Sequence, residues 1–558
     1  MLLLTALSAQ AQEYDQIIVN SEDWQDVYSA MLYGSFLGQP VKFLVSTRHA
    51  SILLFEIPQG TSLRVLSSRD LPYAVGYESF LQVRGYPTAE ESYARGELNL
   101  ELASELDVRK FIVVDPSYGY NAVSVAPYAV RTQSFVLFAS DRNINEIVAF
   151  LNDRDPESVL IYGSVDREVR DGLRQFNPDA INSQGDRYLN NLEIARRFLD
   201  LEPTKQVIFS NGEFIEQEIM SGSEAIIFIG TGNVPEAVKD FLQEHDIQVG
   251  VLIGNQYVGS ATTIRRQTGT SVFVKFARGA RNPQGPIAQV EGLDLFYLPS
   301  YQPRLSIFSI TYNQVTRQLE VTIKNEEDLA TYFRGTYTVL SADGQRQRIG
   351  DVEPVFLDGG KYKTIAYDVG QLSGDIAADA LVLFGESPGS LDYLLDLRGI
   401  AVQSTTILDN SQLDIEDMHY DAVRNRFVIT LVNLGDVPVY ADIEVFDLVI
   451  AGDRQTIGAE SVVRIPAGGK ARVLVPAVLE AEDYADNPKV NIRVFYGQRE
   501  EYLVKTLVAR MDLAVRAVDY VTIGLVVLVI LIILLLLLFF LRRRRKRHGS
   551  RWSGSLRR

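Results

Sequence analysis

An apolar run of 21 residues without charge or proline, which starts at Val521 and ends at Leu541, limits most strongly what this chain can fold into. A helix of roughly 20 apolar residues crosses a hydrocarbon core about 30 Å thick. A buried core helix is rarely this long and is seldom followed at once by a basic segment. The sequence therefore predicts a membrane anchor, with a transmembrane segment at residues 514–541 and a basic tail at 542–558. The first residues of that tail are Arg542, Arg543, Arg544 and Arg545.

The charge of the tail predicts the orientation of the chain. Residues 542–558 carry nine Lys or Arg and no Asp or Glu, and basic residues beside a span stay in the cytoplasm. The formal charge of −17 less the +9 of the tail leaves −26 on residues 1–541, which we expect outside the cell. This acidity excludes nucleic acid as a partner of that part, because phosphate binding requires basic patches. The tail is predicted to contact the lipid bilayer.

The N-terminus and the absence of cysteine bear on export. In residues 1–12, an apolar stretch from Leu2 to Leu7 is followed by Ala9-Gln10-Ala11, which resembles the last part of a secretory signal peptide. A start codon further upstream and a merely apolar terminus both remain open. Since the chain has no cysteine, an exported part of this length needs several domains with hydrophobic cores rather than disulfides.

Self-similarity divides residues 13–302 into three units. Residues 17–46 and 111–140 match in pattern and length, and each predicts a strand, a turn, a helix and a strand. A shorter third copy covers residues 206–230, and a second strand-helix stretch follows each copy. The first strand of each copy is a continuous apolar run, as expected where both faces of a sheet are covered. The repeats predict three α/β units at residues 13–106, 107–202 and 203–302.

These repeats resemble a known family. The first copy contains the phrase that ends in GQPVKFLVS, the second contains VLIYGSVDREVRDGL, and GDRY at residues 185–188 leads into a predicted helix. In order and in number, these phrases resemble the cell wall binding repeat 2 family of surface proteins. The resemblance implies compact three-layer units, Toprim- or Rossmann-like, that are arranged around a pseudo-threefold axis. It also implies binding to an anionic polymer of the cell envelope.

The candidate ligand-binding residues lie in the second unit, the only unit that contains the Gly-Asp-Arg-Tyr phrase. An arginine fork can bind a sugar acid or a phosphate. The other interpretation is structural: an Arg-Asp pair that caps a helix and packs on a tyrosine. The candidates are Asp186, Arg187, Tyr188 and Asn190, the last of which stands where the family has threonine.

From residue 303 the pattern changes to alternating strands. A second self-match, with a spacing of 108 residues, pairs Tyr312 with Tyr420 and Asn325 with Asn433. Strands of this length and period predict two immunoglobulin-like sandwiches, at residues 303–402 and 403–513. Their turns resemble those of adhesion-type sandwich domains in prokaryotic surface proteins.

Catalytic and metal-binding patterns are scarce. The four histidines have no metal-ligand spacing, and neither a nucleophile elbow nor a phosphate loop occurs. Acidic clusters such as Glu90-Glu91 lack the spacing of a calcium loop and are better explained as solvated faces, with surface Ca²⁺ as the alternative. We therefore predict no enzyme and no cofactor.

The expected fold class is multidomain: three α/β repeats, two all-β sandwiches and one transmembrane helix. The expected function is that of a non-catalytic cell-surface structural protein, a surface-layer component or its membrane anchor, in an archaeon. Its predicted partners are copies of itself or other surface-layer proteins, the lipid bilayer, and an anionic cell-envelope polymer. A membrane-anchored adhesin or receptor that binds such a polymer or a glycan is the alternative.

Overall fold

A computed structural model describes residues 14–230, 234–253, 258–275, 279–280, 291–342, 344–516, 528–536 and 538. The chain divides into two compact units, residues 1–408 and residues 409–558. The first unit contains parallel α/β sheets followed by a β-rich module, and the second consists mainly of β-strands.

The α/β part is built on three parallel sheets of four strands. Its strands are β1 Gln16–Asn20, β2 Val41–Phe43, β3 Leu63–Ser68, β4 Thr88–Tyr93, β5 Lys110–Val114, β6 Ser134–Phe138, β7 Ser158–Tyr162, β8 Asp179–Ile181, β9 Gln206–Ser210, β10 Phe214–Ile215, β11 Ile226–Phe228, β12 Val249–Ile253 and β13 Ser271–Lys275. The sheet orders are β2-β1-β3-β4, β6-β5-β7-β8 and β11-β9-β12-β13. In all three sheets the first strand therefore pairs with the second and the third, and the fourth lies at one edge.

Helices cover these sheets on both faces. They are α1 Trp24–Leu37, α2 His49–Ile52, α3 Tyr77–Val83, α4 Leu98–Glu105, α5 Tyr120–Thr132, α6 Ile144–Arg154, α7 Arg167–Leu173, α8 Arg187–Leu201, α9 Glu236–Glu244 and α10 Val258–Thr268, with 3₁₀ turns at Leu53–Glu56, Arg174–Phe176 and Ile219–Ser221. In β1, Ile17 and Val19 face a core that runs through all three sheets, whereas Ile18 faces a separate core on the other side. This alternation follows from the two-residue period of a strand.

Asn99 of α4 joins the first α/β sheet to the second. Its side-chain amide donates to the Val136 carbonyl of β6 and to the Ser29 hydroxyl of α1, each at 2.9 Å. Its oxygen accepts the Phe138 N–H at 3.4 Å. Because Asn99 is buried, these bonds satisfy backbone groups at the end of β6 that water does not reach.

Asn191 of α8 makes the same three bonds between the second sheet and the third. Its amide donates to the Ile226 carbonyl of β11 at 3.0 Å and to the Ser124 hydroxyl of α5 at 2.8 Å. Its oxygen accepts the Phe228 N–H at 2.8 Å. We call Asn99 and Asn191, with these partners, the asparagine bridges. The bridges show that the first and second α/β units, and the second and third, are joined by equivalent contacts.

The β-rich module of the first compact unit is one sheet that is continuous across eight strands. After the short strands β14 Gly279–Ala280, β15 Glu291–Gly292 and β16 Phe296–Tyr297, it comprises β17 Leu305–Asn313, β18 Gln318–Asn325, β19 Thr331–Leu340, β20 Arg346–Gly350, β21 Val355–Leu357, β22 Tyr362–Asp368, β23 Ile376–Gly385 and β24 Tyr393–Thr405. The order is β20-β19-β23-β24-β17-β18-β22, and β21 pairs with β19. The long strand β24 is antiparallel to β23 and pairs in parallel with β17 near its end, so it joins the two halves of the sheet.

The second compact unit packs two sheets on one hydrophobic core. Its elements are β25 Leu413–Asp421, β26 Arg426–Asn433, β27 Val439–Ile450, β28 Asp453–Gly458, β29 Val463–Ile465, β30 Lys470–Pro476, α11 Ala481–Asp486, β31 Lys489–Gly497, β32 Lys505–Asp512 and β33 Val515–Arg516. The sheet orders are β30-β26-β25-β33 and β28-β27-β31-β32, with β29 beside β27.

The residues that repeat at a spacing of 108 have the same hydrogen-bond partners in both β-rich modules. The hydroxyl groups of Tyr312 and Tyr420 each donate to a carbonyl 58 or 57 residues further along and accept an N–H two residues beyond it. The amides of Asn325 and Asn433 each donate to carbonyls 4, 32 and 33 residues further along. The residues that repeat in the sequence therefore make equivalent buried hydrogen bonds in the two modules.

The fold class expected from the sequence is wrong for the first β-rich module. Residues 305–405 form one curled sheet rather than the two separate sheets of a sandwich, because β24 bridges both halves. In addition, no helix within the described ranges is long and apolar enough to span a bilayer.

Several sequence predictions fall on residues outside those ranges. They include the residual signal peptide at 1–12, the tail with Arg542 to Arg545, and most of the apolar run from Val521 to Leu541. Within that run, residues 528–536 are helical, and their side chains are between 46% and 63% exposed.

Candidate functional site

The sequence candidates lie together at the start of α8. Asp186 is the N-cap of this helix, and its carboxylate accepts the N–H groups of Tyr188 and Leu189 at 2.9 and 3.1 Å. The Asn190 oxygen accepts the Ser183 N–H at 2.6 Å. Asp186 thus satisfies N–H groups that the helix end leaves without partners, and Asn190 holds the backbone of the segment that leads into the helix.

Arg187 is turned away from solvent and towards the β-rich module. Its side chain is 4% exposed, and Nη2 lies 2.6 Å from Oδ2 of Asp392, whose side chain is 2% exposed. The guanidinium also lies 5.3 Å above the ring of Tyr120 and 5.1 Å above that of Tyr188. A desolvated cation gains from both aromatic faces as well as from the carboxylate.

Glu386 and Asp186 add two more carboxylates to this cluster. Oε2 of Glu386 lies 3.8 Å from Nε of Arg187, and its Oε1 accepts the Tyr120 hydroxyl at 3.0 Å. The Ser387 hydroxyl donates to Asp186 at 3.3 Å. We call Asp186, Arg187, Glu386 and Asp392, with Tyr120 and Tyr188, the Arg187 cluster.

The Arg187 cluster is tightly packed and has more negative than positive charge. Gly389 lies in the loop between β23 and β24, and a Cβ on it would lie 2.3 Å from Oδ2 of Asp186. This loop therefore approaches the N-cap of α8 at a distance that only glycine allows. The cluster contains three carboxylates and one guanidinium, which contacts Asp392 and Glu386. Three buried atoms of the cluster have no hydrogen-bond partner within the described part of the chain. They are Arg187 Nε, Glu386 Oε2 and Asp392 Oδ1.

The excess of carboxylates changes the acid–base behaviour of the cluster. Burial raises the pKa values of Glu386 and Asp392 above the usual range, and the positive charge of Arg187 opposes this rise only in part. For Arg187 itself, burial would lower the pKa, but Tyr188, Asp392 and Glu386 hold it well above its usual value. The arginine therefore stays charged, and the carboxylates are the groups that respond to pH.

Glu386→Gln is expected to stabilise the first compact unit at pH 8 and to have little effect near pH 5. Because the folded pKa of Glu386 is raised, the folded state binds a proton more tightly than the unfolded chain does. The stability that this tighter proton binding contributes is present at low pH, and it is lost as the pH rises through the pKa of Glu386 in the folded state. Gln keeps an acceptor for Tyr120 but removes the charge. Urea unfolding at both pH values in a Trp552→Phe background, followed by the fluorescence of the buried Trp24, measures the effect.

Glu146→Gln is the matched control, because this exposed carboxylate in the first turn of α6 loses the same charge without a buried partner. Its free energy of unfolding should change by no more than about 0.5 kcal/mol at either pH. A loss of stability in Glu386→Gln at pH 8 would contradict the expected repulsion within the cluster.

A second concave feature lies between the first α/β sheet and the third. This cavity of about 360 Å³ combines apolar and charged side chains, which include Met31, Val41, Lys42, Phe43, His49, Leu53, Glu56, Glu216, Glu218, Lys275 and Asp294. Nζ of Lys275 lies 2.6 Å from Glu216 and 3.2 Å from Glu218. The volume of this cavity is in the range of small-molecule binding sites.

Sequence reasoning brought together the four neighbouring candidates at α8 but missed Tyr120, Glu386 and Asp392. The ion pair between Arg187 and Asp392 joins residues that are 205 positions apart. No local spacing signals such a pair. Within the described residues, no group of three or more His, Cys, Asp or Glu side chains is arranged to hold a metal ion.

Comparisons with known proteins give no family. No protein-family model and no curated protein matches the chain. Among solved structures, Escherichia coli alpha-2-macroglobulin activated by porcine elastase matches 40% of this chain and 23% of its own length, with 11% identity and a TM-score of 0.14. The ligand-binding region of Serine-glutamate repeat protein A of Enterococcus faecium matches 19% of this chain and 99% of its own length, with 15% identity and a TM-score of 0.15. Red sea bream transglutaminase matches 39% and 32%, with 11% identity and a TM-score of 0.13. Scores this low support no shared fold or function.

Proposed function

We propose that the protein is a non-catalytic structural component of a cell surface, of the surface-layer type. The observation that carries this proposal is the Arg187 cluster. This buried, charged cluster joins the α/β sheets to the β-rich module through the ion pair between Arg187 and Asp392, and its charged groups do not face a substrate. The asparagine bridges add buried polar contacts between the sheets themselves. A chain whose buried polar groups are used to fix its modules is suited to bearing load.

The proposed location is the outside of a cell membrane, with residues 542–558 in the cytoplasm. Two observations support it. The basic tail follows an apolar run, which is the usual charge bias of a cytoplasmic flank. Residues 528–536 are all Val, Leu or Ile, and about half of each side chain is exposed, so this surface requires an apolar environment.

Electron cryotomography of the native cell envelope tests the structural role. An ordered array of this protein at a constant height above the membrane is the expected result. Gold labelling of an extracellular epitope in residues 14–516 should mark the outer side of intact cells. Isolated, randomly spaced particles would contradict the structural proposal.

The second candidate function is that of an adhesin or receptor for an envelope polymer or glycan, and the cavity between the first and third α/β sheets favours it. Its mixed lining of apolar, acidic and basic groups is suited to a sugar that carries charge. Saturable binding of a purified envelope polysaccharide by a protein that forms no array would support this function in place of the structural one.

A further inference from the structure

The outward face of β20, β19, β23 and β24 carries a row of polar side chains. Arg346 and Arg348 occupy alternate, exposed positions of β20. The strand register places Arg348 beside Thr338 of β19 and Arg346 beside Leu340. Thr338 in turn lies opposite Asp379 of β23. Because alternate residues of paired strands share one face, these side chains line the same surface.

Arg398 of β24 completes this surface, which we call the arginine face. Three arginines, at positions 346, 348 and 398, line a depression of about 450 Å³ together with Thr336 and Thr338. Arg398 is paired with Asp396 at 2.7 Å and with Asp379 at 3.6 Å. Arg346 and Arg348, by contrast, form no ion pair with any residue that the structure describes. Within the described residues, these two guanidinium forks thus remain available for carboxylates from another molecule.

Apolar side chains flank the arginines. Leu340, which the register places beside Arg346, is 47% exposed, and Leu394, opposite Leu383 on the same face, is 41% exposed. Arginine beside exposed apolar groups is a composition typical of protein–protein interfaces, in which Arg is enriched and Lys and Glu are depleted. A site for a small anion would not require the leucines. The arginine face is therefore suited to an acidic protein surface.

We propose that the arginine face docks an acidic surface of a second copy of this chain. Charge complementarity supports this partner, since the chain carries a formal charge of −17 and residues 1–541 carry −26. A basic face that meets an acidic face elsewhere on the next copy forms a heterologous contact, and such contacts repeat into rings or open rows. The proposal rests on the structural function proposed above and names a surface through which the array forms.

Charge reversal of Arg346 and Arg348 tests the proposal. Self-association of the full-length chain in detergent is measured by sedimentation velocity at low and high salt. The wild type should associate at low salt and dissociate as salt screens the contact. Arg346→Glu/Arg348→Glu should raise the dissociation constant at least about tenfold, since like charges then face each other. The milder Arg346→Gln/Arg348→Gln should weaken association in the same direction and guards against misfolding of the first variant.

Arg454→Glu/Arg472→Glu is the matched control. Both residues are exposed on strands of the second compact unit, and Arg454 stands 108 positions after Arg346. The control should associate like the wild type. Charged residues on an edge strand such as β20 also prevent unwanted strand pairing. Glutamate retains that protection, so a loss of association reports the sign of the charge.

Each outcome bears on a separate proposal. If the wild type associates and the Arg346→Glu/Arg348→Glu variant associates equally well, the arginine face is not the contact, although the structural function stands. If the wild type stays monomeric under all conditions and forms no array on cells, the structural function fails as well. If the wild type stays monomeric but binds polyphosphate through Arg346 and Arg348, the partner is an anionic polymer and the second copy is excluded.

Discussion

Arg187→Met is expected to lower the free energy of unfolding of the first compact unit by about 3–5 kcal/mol at pH 7. The substitution keeps an unbranched apolar stem but leaves the buried carboxylate of Asp392 without its cation. Glu386, at 3.8 Å from Nε, then adds repulsion that no positive charge offsets. Urea unfolding reports the loss. In a Trp552→Phe background, Trp24 is the only tryptophan, and its ring packs 4.9 Å from Phe138 inside the α/β core.

Two comparisons separate the lost ion pair from a general loss of packing. Arg174→Met removes an exposed arginine whose pair with Asp171 is a surface contact, so it should cost less than about 1 kcal/mol. Arg187→Met/Asp392→Asn should be less destabilised than the sum of the two single variants, because the second change removes the orphaned charge. Additive losses in this cycle would show that the two groups do not depend on each other.

The loss caused by Arg187→Met should also shrink at pH 5. Asp392 already has a raised pKa because it is buried, and without the guanidinium it takes up a proton more readily. A protonated carboxyl group is far less costly to bury than a carboxylate. A loss that is independent of pH would mean that cavity formation, rather than charge, dominates the effect.

Local repetition in the sequence carried much of the architecture. The three sequence copies predicted three α/β units, and the structure contains three parallel sheets of equivalent strand order. In the third copy, a short strand and a 3₁₀ turn take the place of the first helix. The pairing of Tyr312 with Tyr420 picked out residues with equivalent hydrogen bonds. Such repeats can be detected in the sequence because copies that fold and pack in the same way have similar residue patterns.

The sequence pattern did not predict that the first β-rich module forms one continuous sheet. Whether a long strand pairs with one sheet or bridges two depends on its curvature and on its partners, and β24 pairs with strands that begin 17 and 88 residues earlier in the chain. Alternation of apolar residues is the same in both cases. The pattern therefore identified β-strands but not the single curled sheet.

The candidate site was located by its motif, but the partners of the motif were not. Asp186 and Asn190 act within a few residues of themselves, which a sequence window can detect. Arg187 pairs across 205 residues with an aspartate that no motif marks. Its binding of an external ligand stays a prediction, whereas its contact with Asp392 is a feature of the fold.

Asn191→Ala is expected to lower the free energy of unfolding of the first compact unit by about 3 kcal/mol, since each buried group left without a partner costs about 1–3 kcal/mol. The substitution removes the three hydrogen bonds of this asparagine bridge, and Asn191 is fully buried. The carbonyl of Ile226 and the N–H of Phe228 would be left in the core between two sheets. The loss should appear in the same Trp24 urea titration.

Asn99→Ala tests whether the two asparagine bridges are equivalent. Its loss should be large but somewhat smaller, because the N–H of Phe138 lies 3.4 Å from the Asn99 oxygen, against 2.8 Å for the corresponding bond of Asn191. Asn152→Ala, on the exposed face of α6, should cost nothing, since alanine has the higher helix propensity.

Asn191→Asp distinguishes hydrogen bonding from packing at this bridge. The aspartate has nearly the same shape and can still accept the Phe228 N–H, but as a carboxylate it cannot donate to Ile226 or Ser124. It would also bury a charge without a cation, so Asn191→Asp should be less stable than Asn191→Ala at pH 8 and should recover as the pH falls. If Asn191→Asp instead matches the wild type at pH 8, the amide donor of Asn191 does not hold the second and third sheets together.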